Sequence, residues 1–206
     1  MVINIVVVFF PGVSFKMTAV NTAHTDLGVE KTQITIEDPM AASKFAWDLV
    51  NRLQRFGVGL ESPKVLLCIG TDRSTGDCLG PLVGSKIDLL QQEFFTVCGT
   101  LDKPVHASNL KETLDEINAH FRNPFVVAVD ACLGRIENVG CIHLGDGSLQ
   151  PGAGVNKDLP PVGQVHITGI VNVGGFMEYM VLQNTRLNLV MRLADVIVSG
   201  LNKAIY

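Results

Sequence analysis

The sequence predicts an α/β fold, a mostly parallel sheet covered by helices on both faces. Two observations carry that reading. From residue 39 onward, short apolar runs alternate with segments of helical spacing, the order that builds parallel sheets from strand–helix–strand units. Two of those runs, Val65–Ile69 and Phe125–Val129, also lead into carboxylates, Asp77 and Asp130. Acids beyond the carboxyl ends of strands sit where open α/β sheets bind their ligands.

The elements follow in order. Ala41–Phe56 has apolar residues at helical spacing, and Gly57 stands as its C-cap. A strand at Val65–Ile69 runs into the glycine loop Gly70–Gly80, and a helix spans Pro81–Gln92 with the proline near its first turn. Phe94–Val105 reads as a strand with its following loop. Asn109–His120 is a helix with a capping-box-like start at Asn109 and Glu112. Phe125–Val129 is a strand, Val139–Leu144 a shorter one, Gly145–Pro161 a glycine- and proline-rich loop and Gln164–Val171 a further strand. Phe176–Gln183 and Thr185–Asn202 close the chain as helices, or as one helix with a break.

The chain has 206 residues, 47% hydrophobic and 17% charged, which suits one core-rich domain at 39–206 preceded by an arm at 1–38. Thr18–Asp38 is polar with weak alternation over Thr32–Ile36, and reads as loosely held. Val2–Phe10 is strongly apolar but far short of the roughly twenty residues a membrane span requires, and it lacks the basic flank and cleavage site of a signal peptide. It is read either as an added strand or as translated sequence upstream of an initiator at Met17. A net charge of −4 supplies no basic stripe for nucleic acid, so neither nucleic acid nor membrane is an expected partner. The cysteines, five in number, include no CxxC pair and read as reduced core thiols, pointing to a reducing, cytoplasmic compartment.

The Gly70–Gly80 loop is a poor phosphate cradle. A Walker loop needs a lysine after its second glycine, whereas Gly76 is followed by Asp77. Asp77 is read as a helix N-cap, or as a metal ligand or proton carrier. Asp130 is read as a turn residue or as the partner of Asp77. His166 lies in the apolar strand QVHITGI and His143 in a similar run, each read as a satisfied core residue or as a ligand. His24, His106 and His120 stand in polar contexts and are read as solvated. Cys78 or Cys132 with His166 forms a formal nucleophile–base pair that no spacing favours. Asp72 and Arg73 are read as a local ion pair or a substrate contact. Asn156 and Lys157 are read as an ordinary glycine-rich turn or as donors to an oxyanion.

A family resemblance sharpens these readings. GTDRSTGDCLGP (Gly70–Pro81) resembles the GNxxxTPDALGP signature of the spore germination protease, and FVVAVDACLG (Phe125–Gly134) that family's strand ending in VDAL. LQPGAGVNKDL (Leu149–Leu159) resembles its HPGSGVGNKRKE loop, and ADVIVSGLN (Ala194–Asn202) its closing helix. The match runs over Pro63–Asn202, and the chain is identified as a member of the YyaC-type sporulation protein family, a shorter relative of that protease. The same frame is similar to the hydrogenase-maturation endopeptidases.

The resemblance implies a phosphorylase/hydrolase-like three-layer αβα sandwich, a peptidase acting on a protein or peptide, and the cytoplasm of a spore-forming bacterium. By likeness to the germination protease, Asp77 and Asp130 form a metal-free acid pair in which one carboxyl keeps its proton. By likeness to the hydrogenase relatives, Asp77, Asp130 and His166 bind a divalent metal, nickel or zinc. Departures from the protease are plain: Thr71 replaces an asparagine, PGAGVNKDL lacks one glycine, and Met1–Asp38 does not resemble the propeptide. They leave open a non-catalytic sporulation regulator or metal-binding protein on a peptidase fold.

Overall fold

The computed structural model describes residues 31–151 and 159–206. Its centre is a six-stranded sheet in the order β1-β5-β6-β4-β2-β3, formed by β1 (Lys31–Thr35), β2 (Lys64–Cys68), β3 (Thr96–Cys98), β4 (Phe125–Gly134), β5 (Cys141–Asp146) and β6 (Val165–Val173). The five α-helices among the described residues are α1 (Ala41–Arg55), α2 (Leu79–Asp88), α3 (Leu110–His120), α4 (Glu178–Gln183) and α5 (Leu187–Ile205). No helix among the described residues is long and apolar enough to cross a membrane.

The α/β class holds, and the sheet is mixed. β3, β2, β4 and β6 run parallel, while β5 lies antiparallel to β6 and β1 antiparallel to β5. Alternation along the strands splits the core in two. Leu66, Cys68, Val127, Val129, Ile142 and Ile167 face α1, α2 and α5. Val65, Leu67, Ile69, Val126 and Ala128 face Leu110 and Ile117 of α3. Helices therefore pack on both faces, as the alternating pattern requires.

Three local expectations change. Residues read as part of a loose arm form β1, a sheet edge paired with β5 from Lys31↔Gly145 to Thr35↔Cys141. The signal was weak because its outward residues are polar and only Ile34 and Ile36 are buried. Asn109 caps no backbone N–H of α3. Its side chain instead fastens the preceding loop, accepting the His106 N–H at 2.8 Å and donating to the Pro104 carbonyl at 3.0 Å. β4 continues through Asp130 to Gly134, so the second acid lies within the strand and not in a turn after it.

The antiparallel edge is held to the helix layer by charge. Arg52 of α1, 1% exposed, donates to Asp48 at 2.9 Å, to Asp146 at the end of β5 at 2.5 Å and to Thr32 of β1 at 3.1 Å. The guanidinium fork has several N–H donors, and the side chains around it consume them.

Candidate functional site

Backbone geometry brings the first acid back over the end of β2. Ile69 continues the ladder by donating to the Val129 carbonyl at 2.7 Å, and Gly70 donates to Val105 at 2.8 Å. Gly70 has φ +143, and a Cβ there would fall 2.0 Å from the Asp77 carbonyl oxygen. Only glycine lets the loop fold so closely on itself. The closure is fastened by Thr71 N–H to Asp77 O and Asp77 N–H to Ser74 O, each 3.0 Å. Asp77 then lies in a 3-10 turn, Gly76–Cys78. The N-cap position of α2 belongs to Cys78, which makes no side-chain cap bond, so Asp77 stands one residue ahead of the place a capping acid would take.

α2 starts hard against β2. A Cβ on Gly80 would fall 2.1 Å from the Ile69 carbonyl oxygen, so this glycine sets the depth of the helix and the height of the Asp77 turn. From above, the turn is packed by the α4–α5 junction: a Cβ on Gly76 would meet Leu182 Cδ2 and Thr185 Oγ1 at 2.9 Å. Thr185 also receives a hydrogen bond from Asn172 at the end of β6, 3.2 Å, and donates to Val181 at 2.8 Å. Sequence reading found both acids and missed this clamp. Neither Leu182 nor Thr185 carries a chemical signature, and their role arises from contact across the fold.

Asp130 follows Val129 on β4 and is 8% exposed. One carboxylate oxygen accepts the Ala131 N–H at 2.8 Å. Burial pushes its pKa well above the usual carboxylate range, the nearby Asp77 charge adds to that, and the Ala131 hydrogen bond only partly opposes them. Asp77 is half-buried. The structure thus sets two carboxyl groups within each other's field, one enclosed and the other half-buried.

His166 is placed differently. On β6 it pairs with Ala128, and Thr168 pairs with Asp130, so His166 lies two residue pairs back from the acid. Its Nδ1 is 3.1 Å from the Gly147 carbonyl oxygen, and its ring lies across Gly145 of β5, on the side away from β4. Among the described residues no group of three or more His, Cys, Asp or Glu side chains is gathered closely enough to hold a metal ion. The ligand set Asp77, Asp130 and His166 therefore does not fit a bound nickel or zinc in this arrangement.

The remaining candidates separate cleanly. All five cysteines are free thiols. Burial raises the Cys78 and Cys132 thiols, with Asp77 and Asp72 adding at Cys78 and Asp130 at Cys132. Each donates to a backbone carbonyl, Thr75 at 3.0 Å and Leu133 at 3.1 Å, so neither is poised as a thiolate nucleophile. Asp72 and Arg73 are both exposed. His120 is exposed and His106 half-buried, while His24, Asn156 and Lys157 lie outside the described residues. A cavity of about 420 Å³ lined by Leu60, Lys64, Gln92, Phe94 and Tyr206 lies at the amino end of β2, the opposite end from the acids.

Comparison with known proteins gives a consistent answer. The family described as a protein of unknown function (DUF1256) matches residues 33–200. The chain is 55% identical over 172 residues to the uncharacterized protein YyaC of Bacillus subtilis (strain 168), covering 84% of this chain and 82% of the relative. The YyaC-type membership expected from the motifs is borne out.

Proposed function

The chain belongs to the DUF1256 family, and on that premise we propose that it is a hydrolase cleaving a peptide bond with Asp77 and Asp130 as an acid pair. The observation that carries this reading is the asymmetry of the pair: Asp130 is buried with its proton held by burial and by the charge of Asp77, and Asp77 is the more exposed partner. A carboxyl that keeps its proton, set beside a more exposed one, suits a division of acid and base roles between them.

The chemistry follows from those states. Asp77, ionised, takes a proton from a water molecule as its oxygen attacks the peptide carbonyl carbon. Asp130 donates its proton to the carbonyl oxygen as the tetrahedral intermediate forms. Collapse of that intermediate breaks the C–N bond: the proton held by Asp77 passes to the leaving amine, and a hydroxyl of the intermediate returns its proton to Asp130 as the carbonyl re-forms. The resemblance to the germination protease supports a phosphorylase/hydrolase-like frame, a polypeptide substrate, and action in the cytoplasm of a sporulating cell.

The test is incubation of the full chain with soluble spore protein, reading new amino termini by mass spectrometry. Termini that appear with the wild type and vanish with Asp77→Asn and Asp130→Asn support the pair; loss of general acid–base catalysis costs about 10²–10⁴-fold. Identical termini from wild type and variants, or none, overturn the peptidase reading in favour of a regulator that has kept the frame.

A further inference from the structure

Away from the acid pair, two histidines are set beside one another on the antiparallel side of the sheet. His143 of β5 pairs with Thr168 of β6, and Gly145 with His166, so both rings stand on one face, two residue pairs apart. Gly145 makes the arrangement possible. A Cβ there would fall 2.5 Å from Cε1 and Nε2 of His166, so the His166 ring lies across β5 next to His143. The two rings are close enough that a proton on His166 would disfavour one on His143.

Each ring has one nitrogen committed to an oxygen that can only accept. His143 Nε2 is 2.9 Å from Gln33 Oε1, and His166 Nδ1 is 3.1 Å from the Gly147 carbonyl. Those nitrogens carry the hydrogens, which leaves lone pairs on His143 Nδ1 and His166 Nε2. His143 is 8% exposed, and its Nδ1 is enclosed without a hydrogen-bond partner among the described residues. An enclosed acceptor with no partner is unfavourable, which asks what fills it.

Neutral imidazoles, each oriented by an outer oxygen with the free nitrogen turned inward, are how histidines ligate metals. We propose that His143 Nδ1 and His166 Nε2 bind one late first-row divalent ion, with water completing its shell. Imidazole nitrogens without thiolate favour Cu²⁺ over Ni²⁺ and Zn²⁺. The site uses neither Asp77 nor Asp130 and stands or falls apart from the peptidase reading. Lys31, whose charge also reaches His143, opposes a cation there and so fixes the sign of one variant.

The experiment is calorimetric titration of the full chain with Cu²⁺ and Zn²⁺, together with ¹⁵N imidazole resonances recorded with diamagnetic Zn²⁺. Expected are coordination shifts at His143 Nδ1 and His166 Nε2. His143→Gln or His166→Gln abolishes tight binding, and Gln33→Leu, which releases the outer acceptor, weakens it by about 10–100-fold. Asp77→Asn leaves affinity unchanged, and Lys31→Ala tightens it. The resonances are read on the wild type, so a poorly folded variant does not decide the matter. Absence of a Zn²⁺-dependent shift overturns the proposal. So does weakening by Lys31→Ala, which marks an anion site, and so does loss of binding in Asp77→Asn, which moves the ion to the acids.

Discussion

The parallel and antiparallel halves of the sheet are held by different means. In the parallel half, Val65–Cys68 of β2 and Phe125–Val129 of β4 are apolar on both faces, and the loop after β2 is fixed by backbone against backbone at Gly70 and Gly80. In the antiparallel half, β1 and β5 carry polar side chains on one face, among them Lys31, Gln33 and His143, and are fastened to α1 through the buried Arg52. Backbone contact fixes the Asp77 turn closely against β2 and tolerates no side chain at Gly70 or Gly80. Paired polar groups hold a sheet edge while leaving donors and acceptors for something else to use.

The largest effect that sharpens this contrast is expected from Asp146→Ala. Asp146 accepts from Arg52 and Arg55, and its loss leaves a buried guanidinium with Asp48 and Thr32 alone. Stripping one partner from a buried ion pair costs about 3 kcal/mol. Amide exchange should rise across β1 and β5 and stay slow across β2 and β4. Equal acceleration in all four strands would show one cooperative unit and break the comparison.

A smaller effect of opposite character is expected from Gly70→Ala. The residue would be held at φ +143 with its Cβ 2.0 Å from the Asp77 carbonyl, a strain of about 1–3 kcal/mol. Denaturant midpoints should fall, and relief of the strain must move the Asp77 turn. As the Asp77 charge withdraws, the Asp130 carboxyl titrates lower by carbon-detected NMR. An unchanged Asp130 titration would show that burial alone sets its proton affinity.

What the sequence reveals follows the same division. The parallel half was legible because apolar strands, glycines and acids occupy fixed offsets: β2, the Gly70–Gly80 loop and β4 stand where the pattern puts them. β1 was obscured because a half-buried edge of five residues, KTQIT, carries too few apolar positions for its alternation to stand out. His143 and His166 were left undecided between core and ligand. Strand register and ring tautomer decide that question, and neither is written in a single strand. The Leu182–Thr185 clamp on Gly76 was invisible for the same reason, being a contact between segments far apart in sequence.

The smallest effect is the most diagnostic for the acid pair. Asp130 has a folded-state pKa raised from 3.8, by burial first and the Asp77 charge second. Above pH 3.8 the unfolded chain releases this proton while the native state still holds it, so the native state binds more protons and stability falls as pH rises. That penalty is complete once pH exceeds the folded-state value and disappears below 3.8. Asp130→Asn removes the ionisable group and keeps a carbonyl oxygen for the Ala131 N–H. It should therefore raise the melting temperature at neutral pH by about 2 °C or more, gain nothing below pH 3.8, and slow hydrolysis by about 10²–10⁴-fold. A protein made more stable by losing its acid shows strain retained for function. A lower melting temperature for Asp130→Asn at neutral pH would instead mark an ionised, well-partnered carboxylate, and the general-acid role would pass from Asp130 to Asp77.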